Sequence, residues 1–253
     1  MKPMDRWFCA ASAAVLMVAV PLAGPAQAAP ISLELVLSID VSGSVSTGEF
    51  DLQRNGYVNA FQSAALQNAI LGTPGGSIAA TFVQWSGATQ QQQSVGWTLI
   101  NSAASANAFA SSIAAASRAF SGNTAVAAAI TYSAGLFNGN GYEGSRLIID
   151  ISGDGTDSTT ATRAARDAAV AAGITINGLP IGGASINSFY ANNVIGGPGA
   201  FFEPANDFGD FASAVQRKLE REVVGVVPVP GALPMMLGGM ALFGMLLRRR
   251  VSA

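Results

Sequence analysis

The chain has 253 residues, half of them hydrophobic and 11% charged, with a formal net charge of −2, one cysteine and no histidine. The missing histidine excludes Ser-His-Asp and Cys-His nucleophilic machinery, His-ligated zinc and the usual neutral-pH general base. The slightly acidic balance excludes a nucleic-acid partner held by a basic surface.

Residues 1–28 begin with Lys2 and Arg6, run apolar through 10–22 and end on Ala26-Gln27-Ala28. This is the layout of a secretory leader, cut by signal peptidase after Ala28 or Ala29. Cys9 leaves with it, so the mature chain has neither a disulfide framework nor a thiolate metal site. One folded domain is expected over 30–223, long enough for a sizeable core. Without Asp5, Lys2, Arg6 and Arg248–Arg250, 14 acids and 8 bases remain, a net charge of −6.

Within the domain, 31–39 reads as a strand buried on both faces. A helix over about 47–70 follows, with Phe50, Tyr57, Phe61 and Leu66 on one face, stopped by Gly72-Thr73-Pro74-Gly75. Strands over 78–85 and 94–100 are expected to form an antiparallel hairpin flanked by Trp85 and Trp97, with Gln90–Gln93 in a solvated turn. Helices over 105–116 and 124–137 lead to a buried strand at 146–151. A helix over 159–172 and a strand over 174–181 come next. A short helix near 185–193, a small strand at 200–203 and a helix over 207–223 complete the domain. Gly196-Gly197-Pro198-Gly199 reads as a rigid turn, since it lacks the lysine and spacing of a phosphate loop. Alternating strands and helices predict an α/β fold: a Rossmann-like open, mostly parallel sheet with one antiparallel edge hairpin and helices on both faces.

The last segment, 224–253, joins Val227-Pro228-Val229-Pro230-Gly231, an apolar block over 232–247 and Arg248-Arg249-Arg250. Its apolar length is marginal for a membrane-spanning helix. The terminal arginines would stay in the cytoplasm and leave the domain outside. The residue order alone thus places the domain outside the cytoplasm. The tail resembles the PEP-CTERM class of bacterial sorting signals in its Val-Pro-x-Pro variant. That resemblance implies an exosortase-type protease as a partner; an ordinary C-terminal anchor is the alternative. It also implies a location at the cell surface or in an extracellular matrix of a Gram-negative-type bacterium, with transient anchoring in the inner membrane.

Three loops carry the chemistry. Asp40, Ser42 and Ser44 alternate after the first strand, Thr124 opens a helix behind Ser121-Gly122-Asn123, and Asp154 follows the strand ending Ile149-Asp150-Ile151. All three should converge at the carboxyl ends of the strands, where open α/β sheets bind ligands. Hydroxyls with few carboxylates suit a hard divalent cation. Taken one by one, the same residues also serve as turn and helix caps. Asp157 reads as a solvated loop acid or an auxiliary contact to the site. Asp150 is expected to pair with an arginine such as Arg146, and Arg163, Arg166 and Asp167 to form an exposed helix face.

In its order of motifs the stretch 31–223 resembles the von Willebrand factor type A domain and its metal-ion-dependent adhesion site. It is most similar to a bacterial family of that fold with no assigned function. The resemblance implies Asp40, Ser42, Ser44, Thr124 and Asp154 as ligands of Mg²⁺ or Mn²⁺, and an acidic group on a protein or polysaccharide partner. The expected function is a non-enzymatic, cation-dependent binding module at the cell surface or in the matrix. The alternatives are a metal-independent structural or scaffold protein of the matrix and a metal-assisted hydrolase.

Overall fold

The apolar run behind the leader does form a strand buried on both faces. The computed structural model describes residues 29–225 and shows this strand as β2 (Glu34–Asp40), after a short β1 (Ala29–Ile31). Then come α1 (Thr47–Gln62), α2 (Ala64–Leu71), β3 (Ile78–Trp85), β4 (Gln91–Ile100), α3 (Ala103–Ala114) and α4 (Val126–Gly135). β5 (Tyr142–Gly144), β6 (Leu147–Gly153), α5 (Thr159–Ala171), β7 (Ile174–Pro180), α6 (Ala184–Phe189) and α7 (Phe211–Val224) follow.

Five strands form one sheet in the order β4-β3-β2-β6-β7, parallel except for the β3–β4 pair. The period of two along β2 divides the interior. Leu35, Leu37 and Ile39 enter a core built with α1, α2, α3 and α7, while Val36 enters a second core with α4, α5 and α6. Each such side chain, fully buried, contributes about 1.5–3 kcal/mol. Tyr57 of α1 packs edge-on against Phe82 and Phe211, with ring centroids 5.8 and 5.6 Å apart. This is the mostly parallel, doubly covered sheet that the sequence predicts.

Several boundaries differ for physical reasons. The helix expected over 47–70 is broken at Ser63, whose hydroxyl donates to Ala60 O and accepts from Leu66 N–H. One serine thus ends α1 and caps α2. The expected solvated turn Gln90–Gln93 is largely strand: β4 starts at Gln91, and Gln93 donates to Thr81 Oγ1 across the hairpin. The strand expected at 200–203 is only a single bridge, Gly178 to Phe202. β1 and β5 form a separate parallel pair that no periodicity announced.

Asp150 does not pair with Arg146. Its partner is Lys218 of α7, Nζ to Oδ1 2.5 Å, and Lys218 also meets Glu222 Oε1 at 2.5 Å. All three side chains are fully enclosed, and Asn177 donates to Glu222 at 2.9 Å. Arg146 instead donates to the carbonyls of Glu222 and Val223 at the end of α7.

The membrane-spanning helix is also corrected. No helix among the described residues is long and apolar enough to cross a membrane. The leader and the block over 232–247 lie outside the described residues, so neither membrane attachment nor a location resting on it is carried forward.

Candidate functional site

The three predicted loops meet at the carboxyl ends of β2 and β6. Asp40 ends β2 fully buried, and its Oδ1 accepts the Ser42 N–H at 2.7 Å, closing a turn that aims both serines at the neighbouring loops. Ser42 Oγ and Ser44 Oγ are 3.2 Å apart. Thr124 Oγ1 donates to Ser42 Oγ at 3.2 Å, and Ser44 Oγ donates to Asp154 Oδ1 at 2.7 Å. All five predicted residues therefore belong to one cluster.

Other residues hold these loops in place. Ser86 ties the end of β3 to the second loop: its hydroxyl donates to Asn123 O and accepts the Gly122 N–H. Gly43 N–H reaches Gly122 O at 2.7 Å. Arg118 clamps the first loop by donating to Val41 O and Ser42 O, at 2.9 and 2.7 Å. Gln53 of α1 donates to Asp40 O from below at 3.0 Å. Asp157 is neither a free loop acid nor a site contact: it accepts the Ala127 N–H and so anchors the first turn of α4. Arg166 pairs with Asp167, whereas Arg163 turns to Asn193 Oδ1. Sequence reasoning missed Ser86, Gln53 and Arg118. Ser86 and Gln53 carry no motif, but Arg118 stands alone in a long uncharged stretch.

Asp40 has an unusual state. Burial raises its pKa from 3.8 to about 7, opposed by the hydrogen bonds from Ser42 and reinforced by the nearby Asp154 charge. Its Oδ2 is buried without a hydrogen-bond partner, as is Tyr190 Oη. Burial also drives the Tyr190 hydroxyl upward, with the Asp40 charge as the next cause. Gly153 makes this closeness possible: a Cβ there would lie 2.8 Å from both Asp40 Oδ2 and Tyr190 Oη. Gly153→Ala is therefore expected to destabilise the domain by about 1–3 kcal/mol through overpacking, measured by urea unfolding.

The expected resident Mg²⁺ or Mn²⁺ is overturned by the donor set. Among the described residues no group of three or more His, Cys, Asp or Glu stands ready to hold a metal ion. The cluster offers two carboxylates, and burial drives one of them toward its neutral form. Its hydroxyls are hydrogen-bonded to one another and to Asp154. The arrangement does not fit a metal-binding adhesion site, and no chemistry is routed through an ion.

A concavity of about 550 Å³ lies at the opposite end of the sheet, beside the amino ends of β6 and β7. There the Arg221 guanidinium lies over the Phe201 ring, 3.7 Å from its centroid.

The sheet order, the two helical layers and the three-loop cluster define a von Willebrand factor type A-like fold. The chain belongs to the DUF1194 family, described as a protein of unknown function, whose model matches residues 30–227. No curated protein matches the sequence. Among solved structures it is similar to the pilus adhesin SpaC from Lactobacillus rhamnosus GG, with a TM-score of 0.57 at 16% identity over 77% of this chain. It is also similar to proximal thread matrix protein 1 from the mussel byssus (0.52, 13%, 78%), of which one crystal structure has a zinc-occupied MIDAS motif. A third likeness is a von Willebrand factor type A protein from Catenulispora acidiphila (0.54, 12%, 77%). The matches span only 31%, 46% and 43% of those three chains, and at such identities they establish the fold alone.

Proposed function

We propose that the chain is a metal-independent structural or adhesive module of an extracellular matrix, without enzymatic activity. The observation that carries this reading is the self-satisfied loop cluster, in which Ser42, Ser44, Thr124 and Asp154 are joined by hydrogen bonds among themselves. Such a cluster is pre-organised without an ion and presents exposed Ser44 and partly exposed Asp154 to a partner. A hydroxyl and a carboxylate side by side suit the hydroxyl and amide groups of a polysaccharide or protein surface. The names of the similar structures, a pilus adhesin and a byssal thread matrix protein, are in keeping with it. The absence of histidine supports a non-catalytic role, because Asp154 is engaged by Ser44 and Asp40 is fully buried, out of reach of a substrate.

Chelation is the direct test. A domain that needs no ion should keep its melting temperature within about one degree when EDTA replaces Mg²⁺. A fall of several degrees on chelation, restored by Mg²⁺ or Mn²⁺, would overturn the proposal.

The same reading takes residues 1–28 as a leader removed by signal peptidase and the segment from 224 as a sorting tail processed by an exosortase-type protease. Both rest on residue order alone. Intact mass of the exported chain should place its first residue at Ala29 or Pro30, and a chain still beginning at Met1 would refute the leader.

A further inference from the structure

The two edges of the five-stranded sheet are treated differently. Beyond β7 the chain returns to cover the edge, through bridges from Ile176 to Gly196, Gly178 to Phe202 and Ile181 to Ala205. Beyond β4 no strand follows among the described residues. β4 reads QQQSVGWTLI over ten residues, with neither proline nor charge. Exposed edge strands usually carry lysine, proline or covering segments that prevent pairing with another chain. This one has none of the first two.

Charge is missing well beyond the strand. No Asp, Glu, Lys or Arg occurs between Arg54 and Arg118, and the next is Glu143. The segment includes α2, β3, β4, α3 and α4. Its single charge, Arg118, is turned inward onto Val41 O and Ser42 O. The β4 side of the domain is thus nearly neutral; the acidic excess lies on β2, α1, β5 and the loops that hold Asp154, Asp157, Asp207 and Asp210, whereas α5 and α7 each carry one more base than acid. At this edge Gln93 N–H donates to Tyr132 Oη and Trp97 Nε1 to Leu136 O, and beside it sits a group of half-buried aromatics: Trp97 on β4, Phe137 at 5.6 Å and Tyr142 at 6.4 Å between ring centroids. Aromatic residues in this state are typical of interface centres.

We infer that the β4 edge is a self-association surface, on which a second copy of this chain pairs β4 to β4 antiparallel about a two-fold axis. A two-fold matches the edge with itself, so no second complementary surface is required. Charge chooses the occupant. Two copies of a domain carrying −6 repel each other least where charge is absent, and β4 itself carries none. A strongly charged partner finds no complement here. The pairing joins two five-stranded sheets into one and closes at the dimer. It does not depend on the loop cluster.

The test is sedimentation of the full chain with and without lysine on the edge. Gly96 is exposed and a Cβ there meets nothing within 4 Å, so Gly96→Lys fits the single copy. Gln92→Lys places a charge at a second exposed edge position, and Ser213→Lys on α7 serves as the control. The wild-type chain is expected to dimerise, both edge variants to weaken dimerisation by at least about tenfold, and the control to leave it unchanged. Asp154→Ala, which opens the loop cluster, should dimerise like wild type, so failure of the loop reading is seen separately. A wild-type chain that stays monomeric up to about 100 µM would overturn the inference. So would edge variants with native circular dichroism that associate as wild type does.

Discussion

Lys218→Ala is expected to lower the unfolding free energy by about 3–5 kcal/mol, because it leaves two enclosed carboxylates without their cation. Lys218 Nζ lies 2.5 Å from both Asp150 Oδ1 and Glu222 Oε1, and none of the three side chains reaches solvent. Burial raises both carboxyl groups, with Lys218 as the main opposing influence; Glu222 reaches about 7. A carboxyl raised in the folded state stabilises fully below its unfolded pKa, and that contribution is lost as pH rises through the folded value. Removing the lysine raises both groups further, so the deficit of Lys218→Ala should be larger at pH 8 than at pH 5. Urea unfolding at the two pH values measures this. Adding Asp150→Asn and Glu222→Gln to Lys218→Met should recover much of the loss, since no charge is then buried. A deficit under about 1 kcal/mol at pH 8 would mean that water reaches the cluster.

Asp40→Asn is expected to stabilise the domain in mild base. With a pKa raised from 3.8 to about 7 by burial, the Asp40 carboxyl favours folding below about pH 4, and this advantage fades as pH climbs through 7. The ionised form at pH 8 is then penalised by on the order of 4 kcal/mol relative to the neutral one. An asparagine keeps the acceptor for Ser42 N–H and carries no charge. Wild type and variant should be nearly equal at pH 4, and the variant more stable at pH 8. The reverse order at pH 8 would show that something in the site holds Asp40 ionised. A bound cation would do that, so this outcome would also count against the metal-independent reading.

The fold was legible in the sequence because its strands are apolar runs with strong boundaries. Leu35-Val36-Leu37 could only be a strand buried on both faces, and Gly-Pro stops separated it from the next. The loop cluster was legible too, since Asp40-Val41-Ser42-Gly43-Ser44 sits where a parallel strand must end. What failed were inferences about interactions distant in sequence. Nothing local shows that Lys218, in an otherwise charged helix, points inward to Asp150, or that Ser63 ends one helix and begins another. The expected ion failed for a related reason. Residue types suit a cation, but whether their oxygens remain free is decided by hydrogen bonds across three loops.

Arg146, the residue before β6, holds the carbonyls of Glu222 and Val223, and Lys218, one turn earlier in α7, is fixed to Asp150 of that strand. Whatever pulls on the chain beyond Gly225 therefore loads two charged fasteners, one ending on an inner strand and the other on the residue before it. Tension from that side meets both contacts before it reaches the sheet. A domain fastened in this way resists extension from its carboxyl side, a useful trait for a building block under mechanical load.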